Sequence, residues 1–300
     1  MTLATGQFDL KTVGILGLGR VGGALAQRLA AHGHDCVGWD IDPAALHRFQ
    51  SLGHVGAANP AHLGDLCAVV ICAAFDTAGL VAAWEAPDEG LSSGRALRFV
   101  IDCSTGDPSR IEALAADMLA REVGLVEAPL SGSSTQIAAG EATALVAGAD
   151  AHVAAVMPVL QAITPRQHRV GDVGMGARAK LATNLVLGLN RAALAEGMVL
   201  AERLGLSRAL FLQLVLDSPA RSDAASVKGH LMVEQRFEPA QSRVVQHLKD
   251  VDLMLALARQ LGQGLPLTER HAELLRRSVA AGDADLDNAA VVRQIGREQP

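Results

Sequence analysis

The segment TVGILGLGRVGGALAQRLAAHGHDCVGWDID, residues 12–42, decides the fold of the N-terminal part of this chain. The apolar run Val13–Leu16 predicts a strand, because it is short and rich in β-branched and aliphatic residues. The pattern over Val21–His32 predicts a helix, and the run Cys36–Trp39 predicts a second strand. A strand, a helix and a strand in this order predict a βαβ unit with parallel strands.

Three glycines lie at the turn between the first strand and the helix. Gly17, Gly19 and Gly22 have the spacing GxGxxG, in which the glycines allow a tight turn, a close approach to a pyrophosphate and close packing of helix on strand. The helix that follows directs unpaired N–H groups and a positive dipole end toward such an anion. The turn therefore predicts a dinucleotide site, whose cofactor-binding residues are Gly17, Leu18, Gly19, Arg20, Val21 and Gly22.

An acidic residue, Asp40, follows the second predicted strand, eighteen positions after Gly22. This is close to the spacing of the carboxylate that accepts the ribose hydroxyls of NAD, and such a carboxylate repels the 2′-phosphate of NADP. Since no arginine stands in the immediate turn, we predict NAD, with NADP less favoured. The alternative is that Asp40 only caps the helix opening at Pro43, a task for which Asp42 is better placed.

Strand and helix patterns alternate up to about residue 170, which predicts an α/β fold of the Rossmann type with a doubly wound, mostly parallel sheet. From Ala177 onward the patterns are helical, so we predict an NAD-binding domain over residues 1–171 and an all-helical C-terminal domain over residues 172–300. The other predicted strands are Val69–Ala73, Phe99–Ile101, Leu125–Glu127 and Ala144–Ala147. The other predicted helices are Pro43–Leu52, Pro108–Arg121, Ala151–Ile163, Ala177–Leu204, Ser207–Asp217, Val244–Leu261 and Leu267–Ala281.

Composition excludes several classes of protein. The net charge is −6 and the 26 basic residues are dispersed, so no nucleic-acid or anionic-membrane partner is expected. No secretory signal or membrane span is visible. The four cysteines lack CxxC spacing, which is typical of reduced thiols in a cytoplasmic protein, and the scattered histidines indicate no metal site.

Lys180 is one of only four lysines and lies in an otherwise apolar helical pattern, with Asn184 one turn later on the same face. A buried lysine can change its protonation state, so Lys180 can serve as a catalytic acid and base while Asn184 orients it or the substrate. The alternative, a lysine extending to solvent at a domain junction, is equally compatible with the spacing.

Two polar turns follow predicted strands, at the edge of an open parallel sheet where ligands bind. The first contains Asp102, Ser104 and Thr105, and the second contains Ser131, Gly132 and Ser133. Their hydroxyl and N–H groups can hold a substrate carboxylate. Ordinary helix capping is the alternative for both turns.

Six motifs in order resemble the β-hydroxyacid dehydrogenases, the family of 3-hydroxyisobutyrate dehydrogenase: GLGRVGGALA, DCST, EAPLSGSS, GARAKLATN, HLKD and GDADLDNAAV. The resemblance implies that Lys180 is the catalytic acid and base with Asn184 beside it, and that Ser131 and Gly132 surround the substrate carboxylate. It places Thr105 and Lys249 against the cofactor. It also implies a C-terminal domain like that of 6-phosphogluconate dehydrogenase, which contributes to substrate closure and to a homodimer or homotetramer.

The chain departs from the family pattern at four positions. Ala74 and Phe75 replace the leucine and proline that lie over the cofactor, Glu127 replaces an aspartate, and Ser133 replaces a glycine, so Ser133 and Phe75 can alter which substrate fits. We predict hydride transfer between NAD and a small 3-hydroxy acid or its 3-oxo acid or semialdehyde, with the individual substrate left open. The alternatives are an imine or ketone reductase of the same architecture and a non-catalytic dinucleotide-binding scaffold.

Overall fold

The computed structural model describes residues 8–298. The chain divides into two compact units, an N-terminal unit that ends at Lys180 and a C-terminal unit that begins at Leu181. The division falls inside a long helix, Met175–Arg203, whereas the predicted domain boundary at residues 171–172 falls just before that helix. The functional assignment of the two predicted domains remains a prediction.

The N-terminal unit confirms the predicted α/β fold. The six strands and four helices predicted there are all present, each to within one residue at its ends. The strands are β1 Thr12–Leu16, β2 Asp35–Trp39, β3 Val55–Gly56, β4 Val69–Cys72, β5 Phe99–Asp102, β6 Gly124–Glu127, β7 Leu130–Ser131, β8 Thr143–Ala147 and β9 Arg166–Gly171. The helices are α1 Arg20–Ala31, α2 Pro43–Ser51, α3 Pro60–Leu66, α4 Thr77–Glu85, α5 Pro108–Ala120, α6 Ser134–Ala139 and α7 Asp150–Ile163, followed by the start of α8 Met175–Arg203.

The sheet has the order β3-β2-β1-β4-β5-β6-β8-β7, with β9 paired to β8. The first six strands in this order, β3, β2, β1, β4, β5 and β6, pair with one another in parallel, as predicted. However, β8 is antiparallel to both β6 and β7, and β9 returns parallel to β8. The sheet is therefore mostly parallel, with the reversal confined to one side.

Strands β4, β5 and β6 are buried along their whole length, which is why their sequences read as continuous apolar runs. One apolar core contains Ile15, Leu25 and Ile71, and a second contains Val70, Trp84 and Val100. Since successive strand residues such as Val70 and Ile71 point to opposite faces, the two cores cover the two faces of the sheet. Burial on both faces is typical of a sheet covered by helices on each side.

The C-terminal unit is helical over the residues that the structure describes. It comprises most of α8 together with α9 Arg208–Leu216, α10 Asp223–Glu234, α11 Val244–Gln260, α12 Pro266–Ala280 and α13 Val291–Arg297. The four helices predicted here are present, and α10 and α13 were not predicted. No helix within residues 8–298 is both long enough and apolar enough to cross a membrane.

Candidate active site

Four parallel strands end side by side. The strand register pairs Leu16 with Cys72, Cys72 with Asp102, and Asp102 with Glu127, so these four residues form a row across the sheet. The turns after β1, β4, β5 and β6 consequently leave the same edge. Ligands of open α/β sheets bind outside the carboxyl ends of the strands, so this edge is the candidate site.

The glycine-rich turn after β1 requires glycine at two of its three motif positions. Gly17 has a φ of +91°, and a Cβ there would lie 2.7 Å from the Ala73 carbonyl oxygen. A Cβ at Gly22 would lie 1.8 Å from the Gly17 carbonyl oxygen, so only glycine lets α1 pack this closely on the turn. A Cβ at Gly19 would meet no atom within 4 Å. The open space at Gly19 fits the close approach of a pyrophosphate.

The N-terminus of α1 has no capping side chain among residues 8–298, and its first turn contains no acidic residue. By contrast, α2 to α6 each begin with an Asp, Asn or Ser whose side chain accepts a backbone N–H. The first backbone N–H groups of α1 therefore have no side-chain acceptor. The positive end of the helix dipole favours an anion at this position. Of the three residues between the glycines, Leu18 is buried, Val21 is half-buried and Arg20 is exposed.

Asp40 lies one residue beyond β2 and holds the glycine-rich turn. Its Oδ2 accepts the backbone N–H of Leu18 at 2.5 Å, and its Oδ1 accepts that of Asp42 at 2.8 Å. Asp42, not Asp40, caps α2 by accepting the Ala44 N–H at 2.9 Å, so the capping alternative for Asp40 is wrong. Arg48 lies 3.8 Å from the Asp42 carboxylate. Asp40 thus fixes the glycine-rich turn at the end of β2.

The turns after β4 and β5 bring three more predicted cofactor residues, Ala74, Phe75 and Thr105, to this edge. The backbone nitrogen of Ala74 would lie 3.3 Å from a Cβ at Gly17, and the side chain of Phe75 is about half exposed. Thr105 follows β5 and is half-buried. Just before it, the Ser104 N–H donates to the Asp102 carboxylate at 2.9 Å, which fixes the course of this turn.

The segment with Ser131, Gly132 and Ser133 lies past the end of β6, since β7 continues from β6 and both pair with β8. Gly132 has a φ of +155°, and a Cβ there would lie 3.0 Å from the Ala142 Cβ. The Ser133 hydroxyl accepts the Gln136 N–H at 3.3 Å in a capping box that opens α6. The capping alternative therefore holds for Ser133, whose hydroxyl serves the backbone of α6.

Glu127, at the end of β6, has a role that the sequence did not indicate. Its carboxylate is buried and accepts the backbone N–H groups of Gly174 and of Ala177, the latter at 2.8 Å. Burial raises the pKa of the Glu127 carboxyl, and these backbone hydrogen bonds act in the opposite direction. A Cβ at Gly176 would lie 2.8 Å from the Glu127 Cβ, so a glycine there permits the approach. Glu127 thereby anchors the start of α8.

Lys180 and Asn184 both lie on α8, four residues apart and on the same face of the helix. Lys180 is 7% exposed. Asn184 Nδ2 donates to Asp250 Oδ2 at 3.2 Å, and Lys249 Nζ lies 3.2 Å from Asp250 Oδ1. Asp250 is only 7% exposed, so this carboxylate lies in the interior of the C-terminal unit. The C-terminal unit thus brings Asn184 and Lys249 together around one buried carboxylate, which the sequence alone did not predict.

The donors at the sheet edge fit a dinucleotide better than a metal ion. Among the residues that the structure describes, no three His, Cys, Asp or Glu side chains are grouped as metal ligands. The uncapped helix and the open backbone at Gly19 fit a pyrophosphate, and the Asp40 carboxylate fits a ribose.

Two family models match this chain. Residues 12–171 match the NAD-binding domain of 6-phosphogluconate dehydrogenase. Residues 174–295 match a model described as NAD-binding of NADP-dependent 3-hydroxyisobutyrate dehydrogenase. The chain therefore contains NAD(P)-binding domains, and the models leave the choice between NAD and NADP open.

Similar proteins cover nearly the whole chain. An L-threonate dehydrogenase of Cupriavidus necator is 28% identical over 284 residues, which is 94% of this chain and 95% of that protein. The crystal structure of a 3-hydroxyisobutyrate dehydrogenase from Salmonella typhimurium has a TM-score of 0.85 at 26% identity, covering 96% of this chain and 99% of that one. An imine reductase from Pseudomonas sp. has a TM-score of 0.66 at 21% identity, covering 96% of this chain and all of that one, and shares the fold.

Proposed function

Since the chain belongs to the β-hydroxyacid dehydrogenase family, we propose that it transfers a hydride between NAD and a small 3-hydroxy acid, with Lys180 as the catalytic acid and base. The observation that carries the proposal is a buried lysine on α8, four residues before an asparagine that is itself held by a buried carboxylate. When bound, the nicotinamide supplies the hydride acceptor or donor.

Lys180 handles the proton in this proposal. In the oxidative direction neutral Lys180 accepts the hydroxyl proton of the substrate at Nζ as the carbon loses its hydride, and in the reductive direction the ammonium returns that proton to the carbonyl oxygen. Lysine, unlike arginine, can lose and regain its proton, and the proposed role requires this exchange. Asn184, fixed by Asp250, orients the substrate or the lysine.

Asp40 supports NAD as the preferred dinucleotide. Its carboxylate already accepts the Leu18 N–H and follows β2, so a 2′-phosphate at the adenosine ribose would meet a negative charge. The glycine-rich turn with α1 would hold the pyrophosphate, and Ala74, Phe75, Thr105 and Lys249 would contact the remainder of the cofactor.

Ser131 and Gly132 would bind the carboxylate of the substrate through hydroxyl and backbone N–H groups. Ser133 and Phe75, which depart from the family pattern, would then shape the rest of the pocket. The relatives named L-threonate dehydrogenase and 3-hydroxyisobutyrate dehydrogenase support a small hydroxy acid as the substrate class. A homodimer or homotetramer and a cytoplasmic location complete the proposal, and the four buried free cysteines support a reducing compartment.

Substitution of Lys180 tests this function. We expect Lys180→Met and Lys180→Arg to keep NAD binding and to lose turnover by about 10²–10⁴-fold, because neither side chain can exchange the proton. The readouts are NAD affinity by calorimetry and the absorbance of the reduced cofactor with a panel of 3-hydroxy acids. Lys11→Met, at an exposed lysine that pairs with Asp35, is the control and should keep full activity. Near-normal turnover in the Lys180 variants would refute the assignment.

The same panel separates the alternatives. An imine reductase would turn over cyclic imines with the reduced cofactor and would not need a lysine at position 180. A scaffold protein would bind NAD and turn over no member of either panel. The retention of both Lys180 and Asn184 supports the dehydrogenase over these two alternatives.

A further inference from the structure

The interior of the C-terminal unit contains a cluster of basic side chains that the proposed reaction does not use. Arg191 of α8 is 4% exposed, His247 of α11 is 6% exposed and His271 of α12 is 3% exposed. His247 Nε2 and His271 Nε2 lie 3.0 Å apart. Arg191 lies eleven residues after Lys180, about 16 Å along α8, so its guanidinium is separate from the proposed catalytic lysine, whereas His247 lies three residues before Asp250 on α11.

Several donors in this cluster lack hydrogen-bond partners. Within the described residues, Arg191 Nε, Arg191 Nη1 and His271 Nδ1 are buried and have none. In the tautomer in which His247 donates to His271 Nε2, neutral His271 carries its hydrogen on Nδ1, which is then a third donor. A buried donor without an acceptor destabilises the folded state, and a charged donor does so more strongly than a neutral one. Within residues 8–298 no hydrogen bond is formed to these donors, so each of them lacks an acceptor.

The charges around Arg191 indicate that the missing acceptor is an anion. The carboxylate of Asp287 is the acidic group that faces Arg191, but it is already engaged by Lys228 Nζ at 2.7 Å and by the backbone N–H groups of Gln241 and Ala289. Lys228 and Asp287 neutralise each other, which leaves the Arg191 guanidinium as a buried charge in excess. Arginine stays protonated in proteins, so it cannot escape this cost by losing its proton.

The two histidines stay neutral beside this charge. Burial, followed by the Arg191 charge, lowers the pKa of His271 to about 4, and burial lowers the pKa of His247 well below its usual value. The cluster thus carries one positive charge in excess at neutral pH. A single negative charge would balance it.

We propose that the C-terminal unit binds one small monovalent anion of the halide type, held by Arg191 Nε and Nη1 and by His271 Nδ1. One negative charge matches the excess of one positive charge, and a weakly hydrated halide gives up less hydration energy on burial than fluoride or sulfate does. The site adds a halide dependence of stability to a protein whose proposed reaction involves no halide.

Bromide, a heavier analogue of chloride, tests the site directly. Crystals of the full chain grown with sodium bromide and measured at the bromine absorption edge should show an anomalous peak within about 3.5 Å of Arg191 Nε and Nη1. Arg191→Met should lose the peak. An ordered water at that position, or a direct hydrogen bond from Arg191 to Asn288 Oδ1, a further unpartnered acceptor, would overturn the proposal.

Thermal unfolding gives a second test in solution. At constant ionic strength, replacing sodium fluoride by sodium chloride should raise the unfolding midpoint of the wild type by about 3–6 °C per tenfold increase in chloride above its dissociation constant. Arg191→Met should fold in either salt, because an apolar side chain of similar length removes the buried charge, and its midpoint should not depend on the halide. Arg236→Met, at an exposed arginine that pairs with Glu234, should keep the halide effect. The same halide response in wild type and Arg191→Met would refute the site.

Discussion

Glu127→Gln should destabilise the N-terminal unit by about 2–4 kcal/mol. The carboxylate accepts N–H groups from both Gly174 and Ala177, whereas a carboxamide has one acceptor oxygen and turns its NH₂ group toward the other donor. The variant loses one charge-assisted hydrogen bond and leaves a buried N–H unpartnered, and relief of carboxylate desolvation offsets part of that cost. The start of α8, which carries Lys180, should become less well fixed.

Urea unfolding monitored by tryptophan fluorescence measures the loss of stability of the N-terminal unit in Glu127→Gln. The two tryptophans of the chain, Trp39 and Trp84, both lie in the N-terminal unit. We expect the urea midpoint to fall by about 1 M. Glu112→Gln is the matched control, because Glu112 of α5 forms an exposed ion pair with Arg178 near the start of α8. Such exposed pairs contribute about 0–1 kcal/mol to stability. Equal effects of the two substitutions would refute the anchoring role of Glu127.

The effect of Glu127 should also depend on pH. Because burial raises the pKa of its carboxyl in the folded state, the folded state holds a proton that the unfolded chain releases first as the pH rises. The stability that the wild type gains over Glu127→Gln should therefore be largest below the ordinary glutamate pKa and should decrease as the pH rises through the raised value. A difference that increases with pH would contradict this reasoning.

Two further predictions concern the glycine-rich turn and its acidic partner. Gly22→Ala should reduce dinucleotide affinity by at least about 100-fold, because the new Cβ would lie 1.8 Å from the Gly17 carbonyl oxygen. The control is Gly23→Ala, where a Cβ meets no atom within 4 Å and the affinity should not change. Calorimetry measures both affinities, and equal losses would contradict the packing argument. Asp40→Ala should weaken NAD binding and should raise the kcat/KM with NADP, relative to that with NAD, by about 10–100-fold. A change of this size is expected when a negative charge about 4 Å from a phosphate is removed. An unchanged ratio would refute NAD selection by Asp40.

Local patterns predicted the parallel part of the sheet and the long helices because these elements are regular and bury apolar residues at fixed spacing. The strands that were missed lack that regularity. Strands β3 and β7 have two residues each, and β9 has the polar sequence RQHRVG with mostly exposed or half-buried positions. The antiparallel insertion of β8 depends on pairing with Glu127 and Leu130, and no local pattern records such a pairing.

The candidate site shows the same division. The glycine turn and Asp40 were predictable because their spacing reflects one βαβ unit. Glu127 was missed as an anchor because its partners, Gly174 and Ala177, are 47 and 50 residues away in the sequence. The bond between Asn184 and Asp250 spans 66 residues and was missed for the same reason. Long-range pairings of polar groups depend on the tertiary fold, which a single sequence does not display.

Helix α8 limits which insertions and deletions the chain can accept between Lys180 and Asn184. Lys180 and Asn184 lie on one uninterrupted helix, Met175–Arg203. Their separation along the axis is about 6 Å, and each residue added or removed between them would rotate Asn184 by about 100° around that axis. Length changes that a surface loop absorbs would here remove the amide from the face of the lysine, so residues 181–183 form a spacer of fixed length.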